Sequence, residues 1–186
     1  RPTDRRENYV KRCVGLPGQT LQIKNCIVYL DGKANKEPDN VQYTYFVKLN
    51  GVPVSKLLGD DYADMRKELG ISEEDITSLA QLHGYDVEEG NVLNEKVLQQ
   101  FDGYMPLTSY AAKELKKRGV AKALRRVTDA DLYSGPNYPL NAFYGWTRDN
   151  YGPVWIPQKG KSVKLTLENL PIYERPIRVY EGNDLK

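Results

Sequence analysis

Tyr9-Val10-Lys11-Arg12-Cys13-Val14-Gly15-Leu16-Pro17-Gly18-Gln19 decides how the chain is read. Tyr9 to Val14 has the composition of a short strand, with β-formers around two adjacent cations. Alternation along a strand sends Lys11 and Arg12 to opposite faces. Gly15-Leu16-Pro17-Gly18 then predicts a sharp turn, with two glycines free to take positive φ around a fixed proline. Thr20–Lys24 and Ile27–Leu30 follow as two strands of a hairpin, turning at Asn25-Cys26.

This run resembles the lysine-bearing segment of bacterial signal peptidase I, a membrane-bound serine protease. In that family the strand and turn read Tyr-Ile-Lys-Arg, two apolar residues, then Gly-Leu-Pro-Gly-Asp. Tyr9, Lys11, Arg12, Gly15, Leu16, Pro17 and Gly18 match it. Gln19 stands where the family has Asp, and Cys13 fills an apolar slot. The resemblance covers directly about the first 32 residues. It implies that Lys11 is the general base of a Ser/Lys dyad. A neutral lysine can take a serine proton, but its ordinary pKa of about 10.4 requires apolar burial to keep it neutral near pH 7. Arginine does not tolerate that shift, so the resemblance casts Arg12 as a structural cation paired with acidic residues. It makes Gly15, Pro17 and Gly18 structural, and it lines a groove for an extended substrate strand with Asn8, Tyr9 and Val10.

The family's nucleophile lies before the lysine in a Ser-Met-x-Pro-like segment. No serine precedes Lys11 here, and the first in the sequence is Ser55. The late Gly-Asp-Asn-Arg motif is also missing, because Arg148-Asp149-Asn150 leads into Tyr151-Gly152-Pro153 and is a lookalike. The chain reads as an extracytoplasmic fragment, inactive by itself, of an enzyme that removes signal peptides from exported preproteins. The resemblance implies no metal or organic cofactor. Preproteins are its expected partners and nucleic acid is not. Anchoring at the periplasmic face of the inner membrane is expected from segments outside this chain. The alternative reading is a noncatalytic protein-interaction module built on the aromatic loop and edge strands.

Composition agrees with a globular chain. Charged residues make up 28%, mean hydropathy is −0.64, and no apolar run approaches the ~20 residues that span a bilayer. A net charge of +2 says little about partners, although Lys113–Arg126 carries seven cations against Glu114 alone. Such a run could meet lipid headgroups or nucleic acid, but it reads more simply as a solvated face. Cys13 and Cys26 form no disulfide framework and read as thiols. His83, the single histidine, has no identifiable catalytic or zinc-binding partner.

Farther along, Gln42–Leu49 predicts a strand ended by Asn50-Gly51, with Val52-Pro53-Val54 as a short edge partner. Apolar residues spaced three or four apart predict a helix over Ser55–Leu69, its first turn weakened by Gly59 and its end set by Gly70. Ser72 with Glu74 and Asp75 marks a second helix start, running to Leu82. Val92–Phe101 fits a strand or a short helix. Tyr110–Arg118 is a third helix, capped by Thr108 or Ser109, and Val120–Val127 a strand. The aromatic stretch Leu132–Tyr151 suits either a binding surface or the core beneath a loop. Gly152-Pro153-Val154-Trp155-Ile156-Pro157-Gln158-Lys159-Gly160 resembles the family's return strand. The last expected element is a helix from Asn169 to Glu181, with Pro171 in its first turn and a kink at Pro176. The fold class is α+β, with residues 1–40 a partial catalytic core and 41–186 an inserted extracytoplasmic α+β domain.

Overall fold

The computed structural model describes residues 10–79, 99–131, 137–141 and 143–184. Asn8, Tyr9, His83 and most of Val92–Phe101 lie outside them. Antiparallel sheets accompany separate helices, so the fold is α+β. Two units divide the chain: one joins residues 1–35 to 136–186, and the other is 36–135.

The discontinuous unit is built on a sheet of order β3-β2-β1-β7. Strand β1 (Thr20–Lys24) and β2 (Ile27–Leu30) form the expected hairpin, pairing Leu21 with Leu30 and Ile23 with Val28. Asn25 and Cys26 take φ of 49° and 67° at the turn, the left-handed pair that matches the twist of two-residue hairpins. A second such turn at Asp31-Gly32 leads into β3 (Lys33–Ala34). The Asp31 carboxylate accepts from the Thr20 amide at 2.8 Å and ties that turn to the start of β1.

The other neighbour of β1 comes from far along the chain. Strand β7 (Tyr151–Trp155) pairs Thr20 with Trp155 and Leu21 with Val154, and shifts register before Ile23 meets Tyr151. This corrects the expected extent of the insert. The stretch that resembles a return strand does return to the hairpin, so 136–186 groups with the first residues. Helix α5 (Leu170–Arg175) begins with Pro171 in its first turn, where a missing N–H costs nothing. At Pro176 it widens into a π turn over Pro176–Tyr180, the form taken by the expected kink.

A second correction concerns residues 10–14, which are not a strand. Their β-forming composition has no neighbouring strand among the described residues, and β propensity is largely the fit of side chains against such a neighbour.

The continuous unit carries a three-stranded sheet of order β5-β4-β6. Its centre is β4 (Gln42–Leu49), flanked by β5 (Gly103–Thr108) and β6 (Ala121–Arg126), both antiparallel to it. Strand β5 is not among the elements expected from sequence; its Pro106 is tolerated at the sheet edge, opposite Thr44. Residues 52–53 form no strand, and the predicted 55–69 helix breaks at Gly59. It becomes α1 (Val54–Leu57), a 3₁₀ turn (Asp60–Tyr62) and α2 (Ala63–Leu69). Buried Arg66 joins the pieces by donating to the carbonyls of Leu57 and Gly59.

Helix α3 (Glu73–Leu79) starts with a reciprocal cap: Ser72 Oγ accepts from Asp75 N at 3.1 Å and Asp75 Oδ2 from Ser72 N at 2.8 Å. Helix α4 (Ser109–Lys117) is capped by Thr108, whose hydroxyl accepts from Ala111 N at 3.0 Å. The helices cover one face of the sheet, where Val47, Leu57, Leu69, Ile76, Leu79, Met105, Leu107 and Leu115 form the core. On the other face Phe46 stacks on Phe101 beneath the Arg125 guanidinium.

Candidate active-site segment

The Gly15–Gln19 turn is held from within and from the return strand. Inside it, the Leu16 amide donates to Gln19 Oε1 at 2.8 Å and the Gln19 amide to the Leu16 carbonyl at 3.1 Å. An amide oxygen thus fills the acceptor position nearest the residue where the family pattern has a carboxylate. From outside, Gly18 N donates to Ile156 O at 2.8 Å and Ile156 N to Gln19 O at 2.8 Å. The Trp155 indole donates to Gly18 O at 3.1 Å.

The two glycines serve different ends. Gly18 has φ of 92°, and a Cβ there would also come within 2.8 Å of Gln158 Oε1. Gly15 does not adopt positive φ, contrary to expectation. Its lack of a side chain admits Ile156, whose Cδ1 would lie 2.6 Å from an added Cβ. Tyr173 supports the same strand by donating its hydroxyl to Trp155 O at 2.8 Å. Burial raises the pKa of this phenol, so it stays a donor at neutral pH.

Ahead of this anchor, Lys11 and Arg12 are exposed. Arg12 forms no ion pair with a carboxylate among the described residues. Val10 is 94% exposed, Val14 and Leu16 are exposed as well, and Pro17 faces solvent. Lys11 is therefore flanked in sequence by exposed apolar residues. Cys13 donates to Gly15 O at 3.1 Å, and neither cysteine is in a disulfide.

At the opposite end of β1, Arg148-Asp149-Asn150 has a structural task. Asn150 Oδ1 accepts from Asn25 N at 3.1 Å, while Asp149 accepts from Cys26 N through its carbonyl and from Cys26 Sγ through its carboxylate. The lookalike motif seats the hairpin turn. In the aromatic stretch, Tyr144 stacks on Trp146 with centroids 4.3 Å apart, and Trp146 tilts against Tyr151 at 4.6 Å. Phe143 nevertheless stays 73% exposed, so the described aromatics of the stretch are half-buried or on the surface.

The basic run is largely put to structural use. Arg118 pairs with Glu68 and Glu114, Arg125 grips Asp131 with two hydrogen bonds, and Arg126 lies 3.6 Å over the Tyr43 ring. No group of three His, Cys, Asp or Glu side chains suited to a metal ion occurs among the described residues. No helix among them is long and apolar enough to cross a membrane.

Residues 1–103 match the family described as "Signal peptidase, peptidase S26", which is more than half of the chain. The chain belongs to the signal peptidase family. Over 32 residues it is 56% identical to Signal peptidase I of Bacillus amyloliquefaciens, a match covering 17% of each sequence. Over 35 residues it is 49% identical to Signal peptidase I of Bacillus caldolyticus, covering 19% of each. The aligned part is thus under a fifth of either relative. No solved structure matches the chain.

The site residues of this signal peptidase chain fall into two sets. Sequence reading singles out Lys11, Arg12, Gly15, Pro17 and Gly18, and the structure brings the glycines against β7 while leaving Lys11 in water. It misses Trp155, Ile156, Gln158 and Tyr173 as partners of the turn. The return-strand resemblance at 152–157 was the available clue to them, but it does not tell which strand β7 joins.

Proposed function

We propose that the protein carrying this chain is a signal peptidase I that cleaves signal peptides from exported preproteins with a Ser/Lys dyad. The observation that carries the reading is the Tyr9-x-Lys11-Arg12 segment entering a Gly15-Leu16-Pro17-Gly18 turn that is rigidly docked on a return strand. Lys11 is the general base. Its amine takes the proton of a serine hydroxyl as the oxygen attacks the scissile carbonyl, then returns it to the departing amine; water hydrolyses the acyl-enzyme with the same base. The serine and the donors to the oxyanion belong to sequence outside this chain, and the fragment alone is inactive.

The base works only when dry. Exposed Val10, Val14 and Leu16 around Lys11 supply the apolar surface that another segment of the enzyme covers, and such cover lowers a lysine pKa. Asn8, Tyr9 and Val10 receive the substrate as an added strand. Arg12 pairs with a carboxylate of the assembled core. Residues 36–135 are the inserted domain, and the enzyme is membrane-anchored with this part extracytoplasmic.

The test is Lys11→Ala in the full-length protein, read as preprotein processing. Cleavage is expected to fall to background; unchanged processing rejects the assignment. The same protein with Lys11→Arg is also expected to be inactive, because a guanidinium does not give up its proton.

A further inference from the structure

Residues 136–186 lie beyond the stretch matched to the family, yet hydrogen bonds reaching the lysine turn from distant sequence come from this part. Residues 10–14 have no strand ladder, so their direction is set where they enter the turn at Gly15–Gln19. Three bonds join that turn to the end of β7 and to Ile156 just beyond it. Two are backbone bonds, between Gly18 N and Ile156 O and between Ile156 N and Gln19 O. The third is made by a side chain: Trp155 Nε1–H to the Gly18 carbonyl. Trp155 is half-buried, and its own carbonyl is fixed by the hydroxyl of Tyr173, which is buried on α5. A relay of contacts therefore runs from α5 through Trp155 to the turn that the Lys11 segment enters.

We propose that Trp155 is a positioning residue for the lysine-bearing segment, with Tyr173 as its support. The inference rests on Lys11 being the general base. Loss of the indole N–H leaves the Gly18 carbonyl without this donor and lets the turn shift on the sheet. The segment ahead of it then sits less closely under its apolar cover. An amine that regains water favours its charged form. Since the neutral amine is the active form, the rise of rate with pH moves to more alkaline values.

The experiment uses the full-length enzyme and its preprotein substrate, with kcat and KM measured across pH and the melting temperature of each variant. Trp155→Phe retains the aromatic packing and removes the donor. It is expected to lower kcat at neutral pH about tenfold, the rate equivalent of one lost hydrogen bond, with KM changed less than about twofold. The rate profile is expected to move alkaline by about half a pH unit or more. Tyr173→Phe should do the same to a smaller degree. Trp146→Phe is the matched control: the same substitution in the same unit, at an indole that makes no bond to the turn, should leave the profile in place.

A Trp155→Phe enzyme with unaltered kcat and profile overturns the proposal. So does a loss that merely follows the unfolded fraction and is shared by Trp146→Phe. Lys11→Ala separates the two failures. If that variant stays active, the base assignment falls and the positioning role falls with it. If it is dead while Trp155→Phe is unaffected, the positioning role alone is overturned.

Discussion

The two units of this chain handle apolar side chains in opposite ways. Among the described residues, the buried hydrophobic side chains belong to the 36–135 unit with the single exception of Tyr173. The large exposed ones belong to the other unit with the single exception of Tyr110. One unit is a sheet packed by helices around its own core. The other is a sheet secured by strand ladders, tight turns and side-chain bonds to backbone, with Val10, Leu16, Leu140, Phe143 and Leu167 facing water. Burial of apolar area is the main favourable term in folding, so the first unit has the means to be stable by itself and the second has little. The difference fits the proposal that the exposed unit is part of a catalytic core completed by other sequence.

The strongest way to break this comparison is to truncate one apolar side chain in each unit. Phe46 is fully buried, and Phe46→Ala should cost about 3–5 kcal/mol, the range for large cavities in cores. Leu167 is 87% exposed, and Leu167→Ala should be within about 0.5 kcal/mol of neutral. Denaturant unfolding of both variants decides it. Equal losses would mean that Leu167 is buried in solution and that the contrast is false.

Asp131 sharpens the comparison from the polar side. It is buried, accepts two hydrogen bonds from Arg125 and accepts from both the amide and hydroxyl of Thr128. Burial pushes its carboxyl pKa up, but the bonds from Arg125 and Thr128 outweigh burial and hold it below the ordinary value. A carboxylate depressed in the folded state stabilises above its unfolded pKa of about 3.9, and that contribution fades as pH falls through the folded value. Asp131→Asn should therefore cost about 2 kcal/mol at pH 7, as for a hydrogen-bonded charge, and lose much of that cost below about pH 4. A penalty that does not depend on pH would show that the carboxylate charge is not what matters.

A smaller loss is expected at the turn of the other unit. Gly18→Ala forces a Cβ into a left-handed turn and toward Gln158, at a cost of about 1–2 kcal/mol. Its signature should be local: faster amide exchange at Gly18 and Ile156, without a change in the protection of β4. Faster exchange throughout the 36–135 unit would contradict two separately stabilised regions.

Much of the fold was legible because its determinants are neighbours in sequence. The β1–β2 hairpin, strand β4, the Ser72 and Thr108 caps and the Gly70 stop depend on a few contiguous residues. So does the Gly15–Gln19 turn. Other features depended on which strands meet. Strand β5 was not anticipated, and its Pro106 is acceptable only because β5 takes a position at the sheet edge. The strand composition of residues 10–14 was misleading because no described neighbour pairs with it.

The sequence alone determined the family motif, the hairpin, the helix boundaries near their caps and the α+β class, since local backbone preferences and short-range hydrogen bonds suffice for these. Tertiary structure alone decided that β7 joins β1, that Trp155 and Tyr173 serve the lysine turn, and that apolar side chains are sorted so unequally between the units. The β1–β7 pairing and the Trp155 bond to Gly18 span more than a hundred residues of chain, and there the free energy of pairing belongs to both partners and neither segment states it by itself.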